Sequence, residues 1–242
     1  MLKKLIQSFL GLFNIKLIRT TAYILPEMPF DVFEHVLAKV LHETGSTFRF
    51  IQVGANDGVL CDNLAPLIRK YKISGCLVEP MPDVFERLKF NYRDQSQLTF
   101  SNTMIGSEKS SGEIHRFKPN APVPGDFFHG LARQDSDYIQ KRAVAIGLPD
   151  QVEKVDCTVQ TLKSLYDELN YECLHLLYVD TEGSDDEIIY QALDSKLHPL
   201  IINYEWTEMD LSRNYQLKMR LLDEGYRFIN VGADTICVRQ QY

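Results

Sequence analysis

Phe48-Arg49-Phe50-Ile51-Gln52-Val53-Gly54-Ala55-Asn56-Asp57-Gly58 is an aromatic and β-branched run that ends abruptly in a glycine-containing turn, and a helical pattern follows over residues 62–71. A strand that feeds a helix through such a turn is how an open α/β sheet receives a nucleotide-like ligand. Gly54 lets the backbone turn tightly, and Gly58 is expected to let it approach the ligand with no Cβ in between. By itself the turn says little. The next apolar run, Gly75-Cys76-Leu77-Val78-Glu79-Pro80, strengthens it by closing on an acid. A carboxylate at the end of the second strand, roughly 20 residues beyond the glycines, is placed to accept hydrogen bonds from ribose hydroxyls. The plainer reading of Glu79 is an exposed glutamate ahead of a proline turn; the combined context favours a nucleoside.

The chain has 242 residues, enough for one α/β domain with an appendage. Apolar residues at 45% and charged ones at 24% match an ordinary globular composition. A formal charge of −7 argues against a nucleic-acid partner held mainly by phosphate contacts, because no broad basic excess is available to neutralise them. The five cysteines form no CxxC pair, and several fall inside strand-like runs, which points to unpaired buried thiols in a reducing compartment. No apolar run reaches the 18 or so residues of a membrane-spanning helix. The opening residues carry Leu2, Leu5, Ile6, Phe9, Leu12 and Phe13 on one helical face with Lys3, Lys4, Lys16 and Arg19 nearby. Two readings suit that face: a helix packed on the domain or on a second subunit, or an interfacial helix. The expected location is therefore cytoplasmic, with peripheral membrane contact through residues 1–20 as the second reading. Oligomeric state is not legible.

Beyond the break at Pro26 and Pro29, Phe30, Phe33, Val36, Leu37, Val40 and Leu41 recur at helical spacing. The turn motif, the strand ending at Glu79, a helix opening at Pro82 and the strand Leu98-Thr99-Phe100-Ser101-Asn102 continue the chain as β-α-β-α-β, the order of parallel strands joined by right-handed crossovers. The middle is less regular. Residues 112–118 alternate as an extra strand, 119–131 read as a loop rich in turn formers, 135–146 as a helix and 152–159 as a strand. Leu174-His175-Leu176-Leu177-Tyr178-Val179 then stops at Asp180-Thr181-Glu182-Gly183, and Leu200-Ile201-Ile202-Asn203-Tyr204-Glu205 forms a fifth core strand. The last two strand-like runs are too close together to be parallel neighbours and must form a hairpin.

A mostly parallel sheet that finishes in an antiparallel hairpin, with helices on both faces, is the α/β architecture of class I methyltransferases, a Rossmann-like sheet. The set Val53-Gly54-Ala55-Asn56-Asp57-Gly58, Val78-Glu79-Pro80, Tyr178-Val179-Asp180-Thr181-Glu182-Gly183 and Asp234-Thr235 resembles the FkbM-type methyltransferase family over roughly residues 48–240. The resemblance implies methyl transfer from S-adenosyl-L-methionine to an acceptor oxygen, with sugars, glycans and glycosylated natural products among the acceptors. It divides the chain into an N-terminal helical appendage (1–45) and a methyltransferase domain (46–242), with 119–150 a substrate-side insertion or lid.

On this reading Gly54, Ala55, Asn56, Asp57 and Gly58 lie against the methionine part of the cofactor and Glu79 holds the ribose diol. The resemblance adds Asn102 and Thr103 beside the adenine and Asp180 at the cofactor edge. Asp180, Glu182 and Glu205 end the fourth and fifth strands, so an open parallel sheet carries them to the same edge as Gly54 and Glu79. There they suit a general base or a divalent-cation site. No tight oxygen-ligand spacing is visible, so no metal is assigned. Alternatively Asp180 caps the following helix while Asp185 and Asp186 complement its dipole. The loop holding Asp126, His129 and Arg133 offers His129 as a further base. Two other classes share the fold signal: a NAD(P)-dependent oxidoreductase, disfavoured by Gly-x-x-x-Gly in place of G-x-G-x-x-G, and a non-catalytic nucleoside-binding scaffold, disfavoured by the intact turn and Glu79.

Overall fold

The computed structural model describes residues 31–60, 62–125 and 127–240, the side chain of Phe127 excepted. The amphipathic pattern of residues 1–20, together with Cys61 and Asp126, lies outside the described residues. Helix α1 spans Val32–Thr44. Then β1 (Phe50–Val53), α2 (Ala65–Tyr71), β2 (Gly75–Val78), α3 (Pro82–Asn91) and β3 (Leu98–Ser101) form the expected alternating run. An excursion follows through β4 (Met104–Ile105), β5 (Ser110–Phe117), α4 (Phe127–Gly130), β6 (Ala132–Arg133), α5 (Ser136–Ala145) and β7 (Val152–Gln160). The chain returns with α6 (Leu162–Leu169), β8 (Leu176–Val179), α7 (Asp185–Asp194), β9 (Ile201–Glu205), α8 (Leu211–Asp223) and the hairpin of β10 (Tyr226–Val231) and β11 (Asp234–Arg239). Among the described residues no helix is long and apolar enough to cross a membrane.

The main sheet has seven strands in the order β10-β11-β9-β8-β1-β2-β3. β3, β2, β1, β8 and β9 run parallel, and β11 inserts antiparallel between β9 and its hairpin partner. The fold class read from the sequence is the one observed. From β1 the chain builds outward through β2 and β3, then comes back to lay β8 on the other side of β1. That reversal opens a crevice at the carboxyl ends of β1 and β8, where open sheets bind ligands.

Side chains alternate across each strand. Ile51 and Val53 enter one core cluster with Leu177, Val179, Ile202 and the buried sides of α6, α7 and α8. Phe50 enters the other with Leu77, Leu176 and the helices α1, α2 and α3. Gln52 points to that second face and is buried at 2% exposure. Helix α1 seats Phe33, Leu37 and Val40 in this core. Helix α1 thus belongs to the compact unit Val32–Tyr242, its apolar face packed in this core.

The excursion is the main departure from expectation. β5 and β7 pair antiparallel along their whole length and, with β4 and β6, make a second sheet of four strands in the order β4-β7-β5-β6. Residues 119–131, expected to be loop, end in α4, and β6 pairs with β5 through Arg133 and Ala132. Phe117, Ala121, Leu131, Ile139 and Ala143 give this part its own small core. Its elements close only through that long-range pairing, which local propensity does not report. Among the described residues, Cys76, Cys157 and Cys237 are buried free thiols and Cys173 is an exposed one.

Gly58 has φ +72°, and a Cβ there would overlap the Tyr92 ring and press on Leu88 of α3. Its glycine requirement comes from packing against α3, not from a ligand. Gly58→Ala is expected to cost about 2–3 kcal/mol from strain and overpacking together. Thermal unfolding should then shift down by roughly 2–4 °C for each kcal/mol. An unchanged melting temperature would show that α3 can yield.

Candidate active site

Register alone assembles the crevice. Val53 lies opposite Val78 on one side and Val179 on the other. The residues that follow, Gly54, Glu79 and Asp180, thus leave the sheet at one level. Ser101 opposite Val78 and Tyr204 opposite Val179 bring Asn102 and Glu205 to the same edge. A cleft opens there, lined by the β1 turn, Glu79 to Met81, Thr103 to Ile105, Ile114, the Gly130 to Gln134 segment and the Asp180 to Ser184 loop.

Gly54 has φ +84°, and a Cβ would overlap the Asp180 carbonyl oxygen. The two loops can touch only because residue 54 has no side chain. The next positive φ belongs to Asn56, at +47°, a conformation that asparagine tolerates better than most residues. This turn aims the Asn56 N–H at Glu79 Oε2 over 3.0 Å, while Glu79 Oε1 accepts from the Met81 N–H at 2.9 Å. Glu79 is 3% exposed, and burial pushes its carboxyl up to about 7 despite those two donors. Each oxygen keeps a lone pair for a further donor. Past Glu79 the wall turns apolar: Pro80, Met81, Ile105 and Ile114 face the cleft, with the Thr103 hydroxyl bonded to Ser101 and Gln160.

At the other end, carboxylates crowd together. Burial holds Asp180 far above the usual range, and the charges of Asp185, Glu182, Glu205 and Asp234 push the same way. Glu182 is raised to about 7 by burial, then by Glu205 and Glu208, with Arg133 opposing. Asp185 is fully enclosed and is raised to about 6 by burial. It accepts hydrogen bonds from the Thr181 N–H and hydroxyl and from the Glu205 N–H, so it staples the β8 loop to the end of β9. Asp186 forms an ion pair with Arg213. Helix α7 is preceded at its N-cap by Ser184, with no side-chain cap, so Asp180 is not its cap. Glu182 stands out. It has φ +57°, it lines the cleft, and its Oε2 is buried with no hydrogen-bond partner. Among the described residues no group of acids, histidines and cysteines has the arrangement of a metal site.

Several expected site residues lie off the cleft. Asp57 turns its carboxylate to the N–H groups of Val59 and Leu60, fixing the turn from behind. Asn102 donates to the carbonyls of Glu79 and Pro80, so it holds the backbone that presents Glu79. Glu205 accepts from the Thr207 hydroxyl and, like His129 on α4, is not among the cleft-lining residues. Gly54, Ala55, Asn56, Glu79, Thr103, Asp180 and Glu182 do line it. Sequence reasoning passed over Gln52, Asp62, Tyr178, Ile105 and Ile114, which line it as well. Gln52 and Asp62 had a signal: a polar residue inside a buried strand, and an acid just ahead of a helix. The two isoleucines had only the alternation of β5.

Arg133 of β6 lines the cleft. It pairs with Glu208 at 2.5 Å and lies over the Tyr138 ring at 3.7 Å, and Tyr138 donates to the same Glu208 carboxylate. The second sheet is thereby tied to the loop after β9 across the crevice.

A family model described as "Methyltransferase FkbM domain" matches residues 52–228. Among curated proteins none matches the chain. Among solved structures, the METTL16 MTase domain is similar at 10% identity and TM-score 0.48, covering 86% of this chain and 67% of that one. The N-terminal domain of human METTL16 in complex with SAH is 12% identical, with TM-score 0.45 and coverage of 98% and 81%. An RNA methyltransferase from Salinibacter ruber in complex with S-adenosyl-L-homocysteine is 13% identical, with TM-score 0.37 and coverage of 89% and 96%. Similarity at this level says nothing about this chain's ligand or acceptor.

Proposed function

This chain belongs to the FkbM methyltransferase family, and from that premise we propose that it moves a methyl group from S-adenosyl-L-methionine to a hydroxyl oxygen, with a sugar, a glycan or a glycosylated natural product as acceptor. The methyltransferase assignment and its S-adenosyl-L-methionine cofactor follow from the family; the oxygen acceptor is our reading. One observation carries it. Glu182 brings to the cleft a carboxylate oxygen with no partner, on a group poised near neutrality.

The cleft residues suit the cofactor. Glu79 offers a buried carboxylate with spare lone pairs for a ribose diol. Pro80, Met81, Ile105 and Ile114 offer an apolar slot beside it for an adenine, with Thr103 at its margin. Gly54, Ala55 and Asn56 leave a side-chain-poor path toward Asp180. Bound there, S-adenosyl-L-methionine supplies a methyl group on a positively charged sulfur. The chain's own task is to hold two reactants in line and to take one proton.

Glu182 is the group for that proton. An aliphatic hydroxyl gives up its proton as its oxygen attacks, and a base near the operating pH is the most effective acceptor. Burial and the surrounding carboxylates hold Asp180 well above the usual carboxylate range, which favours its protonated form and suits a hydrogen-bond donor at the cofactor edge. The Arg133, Tyr138 and Glu208 contacts, with the 119–150 segment, form the acceptor side of the cleft in this reading. A neutral, hydroxyl-rich acceptor suits a mouth that mixes carboxylates with an arginine already paired. We place the chain in the cytoplasm, in keeping with the unpaired thiols, and assign it no nucleic-acid partner.

The test has two arms. S-Adenosylhomocysteine at 100 times its Kd is expected to raise unfolding stability by about 2.7 kcal/mol, while NADH has no effect. Incubation with methyl-labelled S-adenosylmethionine and a panel of glycans should then place label on a hydroxyl. Stabilisation by NADH alone would remove the cofactor assignment, and label on nitrogen would remove the oxygen acceptor.

A further inference from the structure

Two acceptor oxygens in the cleft wall lack a donor. Gln52 is 2% exposed at the end of β1, and its Oε1 has no hydrogen-bond partner. Asp62 follows the β1 turn and divides its carboxylate between two tasks. Oδ1 accepts from the N–H groups of Leu64 and Ala65 at 2.9 and 3.0 Å, starting α2. Oδ2 is buried and unpartnered. Both residues line the same cleft as Gly54, Glu79 and Asp180. Desolvated oxygens without a donor are costly, and native proteins keep few of them without a purpose. What the wall lacks is a group that brings several N–H bonds and a positive charge, and an ammonium brings three.

Among the described residues no side chain supplies that cation. Arg69 is the basic residue acting on Asp62, but its guanidinium donates to the Gly58 carbonyl and lies over the Tyr92 ring at 4.4 Å. Burial dominates the Asp62 environment and raises its carboxyl, with the Gln52 amide and the two backbone donors opposing. The backbone of residues 54–58, the first expectation for the methionine part, has N–H groups already engaged: those of Gly54 and Ala55 go to the Val78 carbonyl, that of Asn56 to Glu79, and that of Gly58 to Ala55.

Resting on the methyltransferase reading above, we infer that Asp62 Oδ2 and Gln52 Oε1 together seat the α-ammonium of the cofactor's methionine part. This places the charged anchor of the donor one loop beyond the glycine turn, on the residue that also starts α2. Donor binding and the order of that helix start are thus joined in one carboxylate.

Asp62→Asn separates the two tasks, since asparagine keeps an Oδ1 that can start the helix but replaces Oδ2 with a donor. Calorimetry with S-adenosylhomocysteine and with 5′-methylthioadenosine, which has the nucleoside and thioether but no amino-acid part, reads the difference. The expected result is at least a tenfold loss of S-adenosylhomocysteine affinity with 5′-methylthioadenosine unchanged. Gln52→Met, which removes the amide carbonyl at similar volume, should give the same split and serves if the Asp62 variant does not fold. Equal losses for both ligands, or no loss, would overturn the inference and leave the methyltransferase reading intact. A loss confined to S-adenosylmethionine would put the carboxylate at the sulfonium and overturn it too. Binding of neither ligand by the unsubstituted protein would remove the cofactor reading and this inference with it.

Discussion

Replacing Glu182 with glutamine is expected to lower kcat by about 10²–10⁴-fold, the usual contribution of a positioned base, with S-adenosylhomocysteine affinity nearly unchanged. Glutamine keeps the volume and the cleft-facing oxygen but cannot take a proton. The pH profile gives a sharper readout. Because Glu182 must be ionised to act and its carboxyl is raised to about 7, kcat should climb through about pH 7 and level off above it. In the glutamine variant that rise should vanish. The same group leaves a mark on stability. Between the ordinary glutamate value of 4.5 and about 7, the folded protein holds a proton that the unfolded chain has released. Its contribution to stability therefore falls as pH rises through that window. Thermal unfolding of the unliganded protein at pH 5 and pH 7.5 should show a smaller drop for Glu182→Gln than for the parent. A glutamine variant with undiminished kcat would move the base elsewhere.

Glu79→Ala is expected to weaken S-adenosylhomocysteine binding by at least about 100-fold, as two hydrogen bonds to an ionised group contribute about 1.5–3 kcal/mol each. The loss is compounded inside the protein. The Asn56 and Met81 N–H groups, which Glu79 now receives, would be left facing the cleft without their acceptor. The turn that carries Asn56 at positive φ loses its tether at the same time. A pH signature accompanies this effect as well. The ionised carboxylate is the form that accepts from both ribose hydroxyls, so affinity should decline as pH falls below about 7. Titration calorimetry at pH 6 and pH 8 would read it. An alanine variant that binds as tightly as the parent would detach Glu79 from the ribose and with it the placement of the nucleoside. The two glutamates are separable by measurement, since one governs Kd and the other kcat.

The alternating apolar strands and helices of residues 48–101 and 174–239 were legible because the central strands β1, β2, β8 and β9 are buried on both faces and the helices on one, so local pattern and final environment coincide. The strand-ending residues were legible for the same reason: in a parallel sheet the end of every run reaches one edge. Chain order alone thus brings Gly54, Glu79, Asp180 and Glu205 to a single level. The excursion between Met104 and Gln160 was not legible as a second sheet. β5 and β7 are separated by a loop, two helices and the short strand β6, and each alone is an ordinary alternating run. Two glycines of the same turn also differ in a way that chain order does not convey. Gly54 yields to the Asp180 carbonyl and Gly58 to Tyr92, contacts made by residues far along the chain.

The sequence by itself determined the α/β sheet, the hairpin that ends it and the edge where the cleft opens, because these depend on periodicity and on where each periodic run stops. Only the tertiary structure decided which carboxylate at that edge is poised near neutrality, which is held far above the carboxylate range by burial and which spends its oxygens on backbone N–H groups. Desolvation and the field of neighbouring charges set those roles, and both arise from groups that chain order keeps apart. Glu182, in the β8 loop, and Asp185, at the start of α7, are three positions apart, yet one is left with an open oxygen in the cleft and the other is closed off by Thr181 and Glu205.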